Sequence, residues 1–210
     1  MQPNPTQTSY DTVAEEYARR MLNELDHKPR DRELLDQFAA QVKDHGRVAD
    51  IGCGPGQIAR YLHDRGVDAF GIDLSPAMVE FASKAHPGME FRQGDMRALP
   101  LPDNSLAGIT AFYSIIHIPR ADVVNVLKEL RRVLQKDGTL LLSFHRGDEI
   151  RHFEELWEKP VSLDFIFFER DEMVGYLEAA GFIIDEVIER APYPDGVEAQ
   201  TQRVYIFAYK

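Results

Sequence analysis

The chain has 210 residues, 44% hydrophobic and 28% charged, with a formal net charge of −11 at pH 7. Acidity on this scale works against broad contact with nucleic-acid phosphates, which need Lys/Arg clusters, and suits a soluble surface. The single cysteine, Cys53, excludes an internal disulfide framework. No apolar run has the length of a bilayer span, and Met1–Ser9 carry neither a basic nor an apolar signal segment, so a cytoplasmic location is expected.

In chain order, a Pro/Gln/Thr-rich lead is followed by two helical patterns, Tyr10–Met21 and Asp31–Asp44. The second has Leu34, Leu35, Phe38, Ala39 and Val42 at helical spacing. Strand and helix patterns then alternate. Arg47–Ile51 reads as a strand, Gln57–Arg65 as a helix stopped at Gly66, and Ala69–Leu74 as a strand. Ser75 caps a helix with Pro76 in its first position, running to about Lys84. Met89–Arg92 and Leu106–Tyr113 read as strands, Asp122–Leu134 as an amphipathic helix, and Thr139–Phe144 as a strand. Such alternation predicts a parallel sheet covered by helices on both faces. Residues 146–168 break the pattern: they are aromatic-rich and are expected to be irregular. After a helix at Glu172–Ala180, two strand-like runs, Phe182–Arg190 and Arg203–Tyr209, have no helix between them and should pair antiparallel. There is no internal repeat.

The chemistry concentrates where the first strand ends. Asp50 is followed by Gly52, Gly54 and Gly56 and then by a helix. Glycines in alternate positions let the backbone turn sharply and approach a ligand closely. The run Gly54-Pro-Gly56-Gln-Ile-Ala59, with Asp73 downstream, also satisfies a loose dinucleotide fingerprint, so a nicotinamide-dependent oxidoreductase is a rival reading. The acids separate the two. Asp50, Asp73 and Asp95 end or follow the first three strands, and in a parallel sheet those tips share one ligand-binding edge. Three carboxylates repel a diphosphate but suit a ligand with a cationic centre and hydroxyl or amine donors.

The segment 48–145 resembles a class I S-adenosylmethionine-dependent methyltransferase. Asp50-Ile-Gly-Cys-Gly-Pro-Gly56 is similar to that family's glycine motif, and Gly71-Ile-Asp73-Leu-Ser-Pro-Ala-Met78 to its ribose-binding motif. Gln93-Gly-Asp95-Met96, with Leu99–Ser105 after it, is similar to the adenine region. Tyr113–His117 and Leu130–Gly138 are similar to the segments that flank the fourth crossover. The resemblance implies a Rossmann-like three-layer α/β sandwich: a seven-stranded, mostly parallel sheet with a C-terminal antiparallel pair. It implies S-adenosylmethionine as cofactor, with Gly52, Cys53, Gly54 and Gly56 against its methionine part. Asp50 would lie near that end, Asp73 would take the ribose hydroxyls, and Asp95 and Met96 would read adenine. Leu74, Met78 and Tyr113 would line the walls, and Tyr10 and Tyr17 would close over the cofactor. It divides the single domain into a helical cap (1–45), a cofactor core (46–145), a substrate-side insertion (146–170) and a C-terminal helix with hairpin (171–210).

Plainer roles stand beside these. Asp50 can satisfy loop amides, Asp95 can make an Asx turn, and Cys53 is explained by its small size between glycines. His117, just past the fourth strand, and His145, ending the fifth, are candidate general bases, or polar residues of the cleft wall. The histidines lack metal-site spacing, so no metal is expected. The aromatic residues of 153–168 form either a lid or core. The expected partner is a small-molecule methyl acceptor rather than nucleic acid or membrane. The methylated atom and the oligomeric state are not legible. A catalytically silent S-adenosylmethionine-binding subunit is a further alternative.

Overall fold

The computed structural model describes residues 4–210; the first three residues of the expected N-terminal cap lie outside them. Helix α1, Pro5–Met21, starts earlier than its hydrophobic pattern, because the Asn4 side chain accepts from the Thr6 amide and Pro5 takes the first helical position. A 3₁₀ turn at Glu24–His27 leads to α2, Pro29–Val42. The strands β1 (Val48–Ile51), β2 (Ala69–Asp73), β3 (Phe91–Gln93), β4 (Leu106–Phe112) and β5 (Leu134–His145) alternate with α3 (Gln57–His63), α4 (Pro76–Ala85) and α5 (Arg120–Val133). Helix α6, Arg170–Ala179, carries a Glu169/Glu172 capping box and precedes β8 (Ile183–Arg190) and β9 (Arg203–Tyr209).

Seven strands form one sheet in the order β3-β2-β1-β4-β5-β9-β8. The first five run parallel, and β9 pairs antiparallel with both β5 and β8, as the missing crossover helix predicts. Apolar layers cover both faces. One packs Val123, Leu127, Leu130, Met173 and Leu177 of α5 and α6 on the sheet. The other packs Leu34, Phe38 and Val42 of α2 with Ile58 and Leu62 of α3. Each such side chain removed from water stabilises by about 1.5–3 kcal/mol, so the sheet edge that carries the loops rests on a rigid base.

The segment 146–168 is not irregular. It forms a second, two-stranded sheet, β6 (Ile150–Leu156) with β7 (Lys159–Ile166). Its turn uses Trp157 and Glu158 at φ 51° and 63°. The left-handed backbone of that turn ordinarily selects Asn or Gly, so its sequence carries no hairpin signal. β6 is largely exposed and lacks a clean alternation for the same reason: the hairpin covers a cavity instead of a packed core. No helix among the described residues is long and apolar enough to cross a membrane.

Candidate cofactor and acceptor site

At the carboxyl ends of β1, β2 and β4 the chain encloses two adjoining cavities. Counted to their open mouths they hold about 730 and 1320 Å³. Tyr10, Tyr17, Gly52, Gly54, Phe112 and Tyr113 line both.

The glycine loop forms the wall between sheet and cavity. Gly52, Gly54 and Gly56 have φ of 75°, 51° and 87°. A Cβ on Gly52 would lie 2.3 Å from that of Ser114, and one on Gly56 would strike the Phe91 ring at 2.7 Å. The loop therefore requires glycine for its backbone and for its close packing. Cys53 is buried beside it, and its thiol is pushed far up by burial, which suits a small filler and not a nucleophile.

Asp73 ends β2 and ties the loop together: Gly54 N–H donates to one carboxylate oxygen and Ser75 N–H to the other, both at 2.8 Å. Burial raises it to about 6. It lines the smaller cavity with Leu74, Met78 and Met96. Asp95 does not join them. Its carboxylate accepts from the Arg97 amide in an Asx turn and pairs with the Arg97 guanidinium at 3.5 Å, while Gly94, Met96 and Arg97 face the cavity.

Asp50 lines the larger cavity and is 1% exposed. Thr110 Oγ1 donates to its Oδ1 at 2.9 Å, but its Oδ2 is buried without a partner among the described residues. Burial raises this carboxyl to about 7. The Thr110 hydroxyl and the Ala59 amide oppose that rise without cancelling it.

The roof is built from α1 and the hairpin. Tyr10 and Tyr17 meet edge-on at 5.7 Å, and Tyr17 meets Trp157 at 5.9 Å. Ser162 N–H donates to Ser9 Oγ at 2.9 Å, fastening α1 to β7.

Neither histidine offers a free base. His117 Nδ1 lies 2.8 Å from the Asp164 carbonyl, which only accepts, so Nδ1 carries the proton. Nε2 then accepts from the Tyr10 hydroxyl at 2.7 Å. Burial lowers this imidazole to about 4. His145 Nδ1 accepts from an Arg203 guanidinium N–H at 2.9 Å, so its proton is on Nε2. Burial and then the Arg203 charge lower it to about 3. Tyr113 is a wall of both cavities. Its φ of 51° is a strained conformation for a non-glycine residue, and its hydroxyl is 2.9 Å from that of Tyr205.

Residues 48–138 match the family described as "Methyltransferase domain". The segment is similar to methyltransferase domains in sequence, and the fold is that of solved S-adenosylmethionine-dependent methyltransferases. An uncharacterized methyltransferase of Bacillus subtilis, YcgJ, is 36% identical over 115 residues, 52% of this chain and 45% of that protein. A fatty-acid O-methyltransferase of Mycolicibacterium smegmatis is 37% identical over 135 residues, 62% of this chain and 47% of that protein. The chain thus spans about half the length of these two curated relatives. A solved S-adenosylmethionine-dependent methyltransferase from Methanosarcina mazei superposes with a TM-score of 0.71 at 20% identity, over 81% of this chain and 93% of that one.

Several residues that line the larger cavity stand outside the motifs singled out in the sequence. Glu24 accepts from Gln57 at 2.8 Å and from Lys28 at 2.5 Å, and all three line the larger cavity. Arg203, Thr201 and Glu198 reach it from the C-terminal hairpin. Only a strand register could have brought them to mind: β5 and β9 set His145 opposite Arg203.

Proposed function

We propose that the chain transfers a methyl group from S-adenosylmethionine to a small-molecule acceptor held in the larger cavity. The observation that carries this reading is that Asp73 and Asp50 line the two cavities beside one glycine loop. Carboxylates there attract a cationic ligand and accept from hydroxyls, and they repel a dinucleotide diphosphate. When bound, S-adenosylmethionine supplies a methyl group on a sulfonium, and the protein supplies orientation.

In this reading Asp73 accepts from the ribose hydroxyls, and Leu74, Met78 and Met96 flank the adenosine. Asp50 and Glu24 offer negative charge at the cationic and amino end, and Lys28 offers positive charge for the carboxylate of the methionine tail. Asp95 acts on the adenine pocket through the turn it braces, which presents Met96 and Arg97. Tyr10, Tyr17 and Trp157 exclude water above the reacting groups, which favours alignment of donor and acceptor. With the lone pairs of His117 and His145 both engaged, the acceptor arrives in its nucleophilic form and leaves no proton for a histidine to take.

A silent cofactor-binding subunit would have no use for a second cavity of about 1320 Å³ lined by Phe153, Phe165, Phe167 and Trp157. Isothermal titration with S-adenosylhomocysteine, NAD and NADP tests the proposal. Binding of the first alone is expected; binding of a nicotinamide nucleotide in its place overturns it.

A further inference from the structure

The acceptor cavity has an apolar body and one polar corner. The body is aromatic: Phe153, Trp157, Phe165 and Phe167, all from the hairpin or the residue just after it. The corner lies where β5 meets β9. There Arg203 is 2% exposed and lines the cavity, yet its Nε–H has no partner among the described residues. The remaining contacts of its guanidinium hold it still: His145 Nδ1 at 2.9 Å, and the Thr201 and Ala199 carbonyls, each at 2.8 Å. Because His145 spends Nδ1 on Arg203, its Nε2 must present an N–H, which meets no acceptor among the described residues. The ring is fixed by stacking on Phe167 at 5.2 Å and by Tyr113 at 5.1 Å. The corner therefore offers one oriented donor, His145 Nε2–H, in the field of the buried Arg203 guanidinium, whose own Nε–H has no accessible surface. Glu198 is the carboxylate nearest Arg203, at 3.5 Å. It is already held by Arg190 at 2.5 Å and by the Tyr193 amide at 2.8 Å, with Lys28 at 3.8 Å.

We infer that the acceptor is an amphipathic carboxylic acid, bound as its carboxylate with the headgroup at the His145 Nε2 donor, in the field of Arg203, and its apolar body under the aromatic hairpin. The inference rests on the acceptor reading of this cavity. A buried guanidinium charge behind that donor favours an anionic headgroup over a neutral one. A carboxylate is also ionised at neutral pH, in keeping with a site whose histidine lone pairs are both engaged.

Trp157 is the only tryptophan of the chain and lines the cavity, so its fluorescence reports occupancy. The probes are decanoate and 3-phenylpropionate, each titrated beside its methyl ester and the matching alcohol. At least one acid is expected to bind about tenfold or more tightly than its ester and alcohol. His145→Phe keeps the ring stack and removes the donor; it should cut acid affinity about fivefold or more and leave ester affinity unchanged. Arg203→Met removes the charge separately, with circular dichroism as the check on folding. Equal affinity within both series, a preference for ester or alcohol, absence of binding by every probe, or an acid preference untouched by both folded variants overturns the inference. S-adenosylhomocysteine binding by the same samples separates the outcomes. Its loss from the unmodified chain sinks the methyltransfer reading; its presence without acid preference sinks only the carboxylate.

Discussion

The Tyr10 hydroxyl donates to His117 Nε2 at 2.7 Å, joining α1 to the turn after β4 across 107 residues of sequence. On its other side the same imidazole donates to the Asp164 carbonyl of β7. His117 is thus a rivet between the cap helix, the sheet edge and the hairpin. A base would need the lone pair that Tyr10 occupies. Replacing His117 by Phe should loosen the roof: we expect weaker S-adenosylhomocysteine binding and a loss of about 1–3 kcal/mol of stability, as two hydrogen bonds disappear. Calorimetric titration and thermal melts check this. Unchanged affinity and Tm would restore His117 as a free catalytic candidate.

Asp50 carries opposite consequences for folding and for binding. Its carboxyl is raised by burial from an ordinary value to about 7, so between those pH values the native state holds a proton that the unfolded chain has released. The ligand-free protein should therefore lose stability as pH rises from about 4 to about 7, and Asp73, raised to about 6, acts in the same direction. Asp50→Asn should raise the Tm of the ligand-free protein at pH 8, by roughly 2–8 °C for ~1–2 kcal/mol regained. Cofactor binding needs the ionised form, so affinity for S-adenosylmethionine should rise through pH 7 in the native chain and lose that dependence in the variant. Melts and titrations at pH 6 and 8 provide the check.

Asp73 accepts from two loop amides and, in the proposed reading, from two ribose hydroxyls. Asp73→Ala should weaken S-adenosylhomocysteine by about 1.5–3 kcal/mol, about 10- to 150-fold, and also lower the Tm, since Gly54 and Ser75 lose their acceptor. An intact fold with unchanged affinity would remove the ribose assignment.

Two glycines separate backbone need from packing need. Gly52→Ala places a Cβ 2.3 Å from Ser114 at φ 75°, and a marked loss of stability and of cofactor binding is expected. Gly175 lies inside α6 with nothing within 4 Å of a new Cβ and no positive φ. Gly175→Ala should therefore stabilise by about 0.5–1 kcal/mol without touching the site, read by denaturant melts.

Tyr205 is the hub of a buried network behind Tyr113, which lines both cavities. Its hydroxyl donates to Asp31 at 2.7 Å and accepts from Arg190 Nε at 3.0 Å and from Tyr113 at 2.9 Å. Tyr205→Phe should lower stability by about 1–3 kcal/mol, because three buried polar groups lose a partner at once.

The sequence by itself determined the parts that depend on neighbours in the chain. Glycines at 52, 54 and 56 are demanded by positive φ in one short loop, and Asp50 and Asp73 follow from where single strands end. The alternation of periods two and 3.6 prescribes the parallel sheet, and the missing helix between β8 and β9 prescribes their antiparallel pairing. Tertiary structure decided what depends on distant partners. Asp95 turns to Arg97, whose amide two residues on donates to it at 2.9 Å. The hairpin at 150–166 arose around a turn with no turn residues, its aromatic side chains drawn to a cavity instead of a core. The protonation sites of His117 and His145 were set by Tyr10, Asp164 and Arg203, at separations of 107, 47 and 58 residues. Which nitrogen carries a proton is a property of the partner, and only the folded register brings that partner within hydrogen-bonding distance.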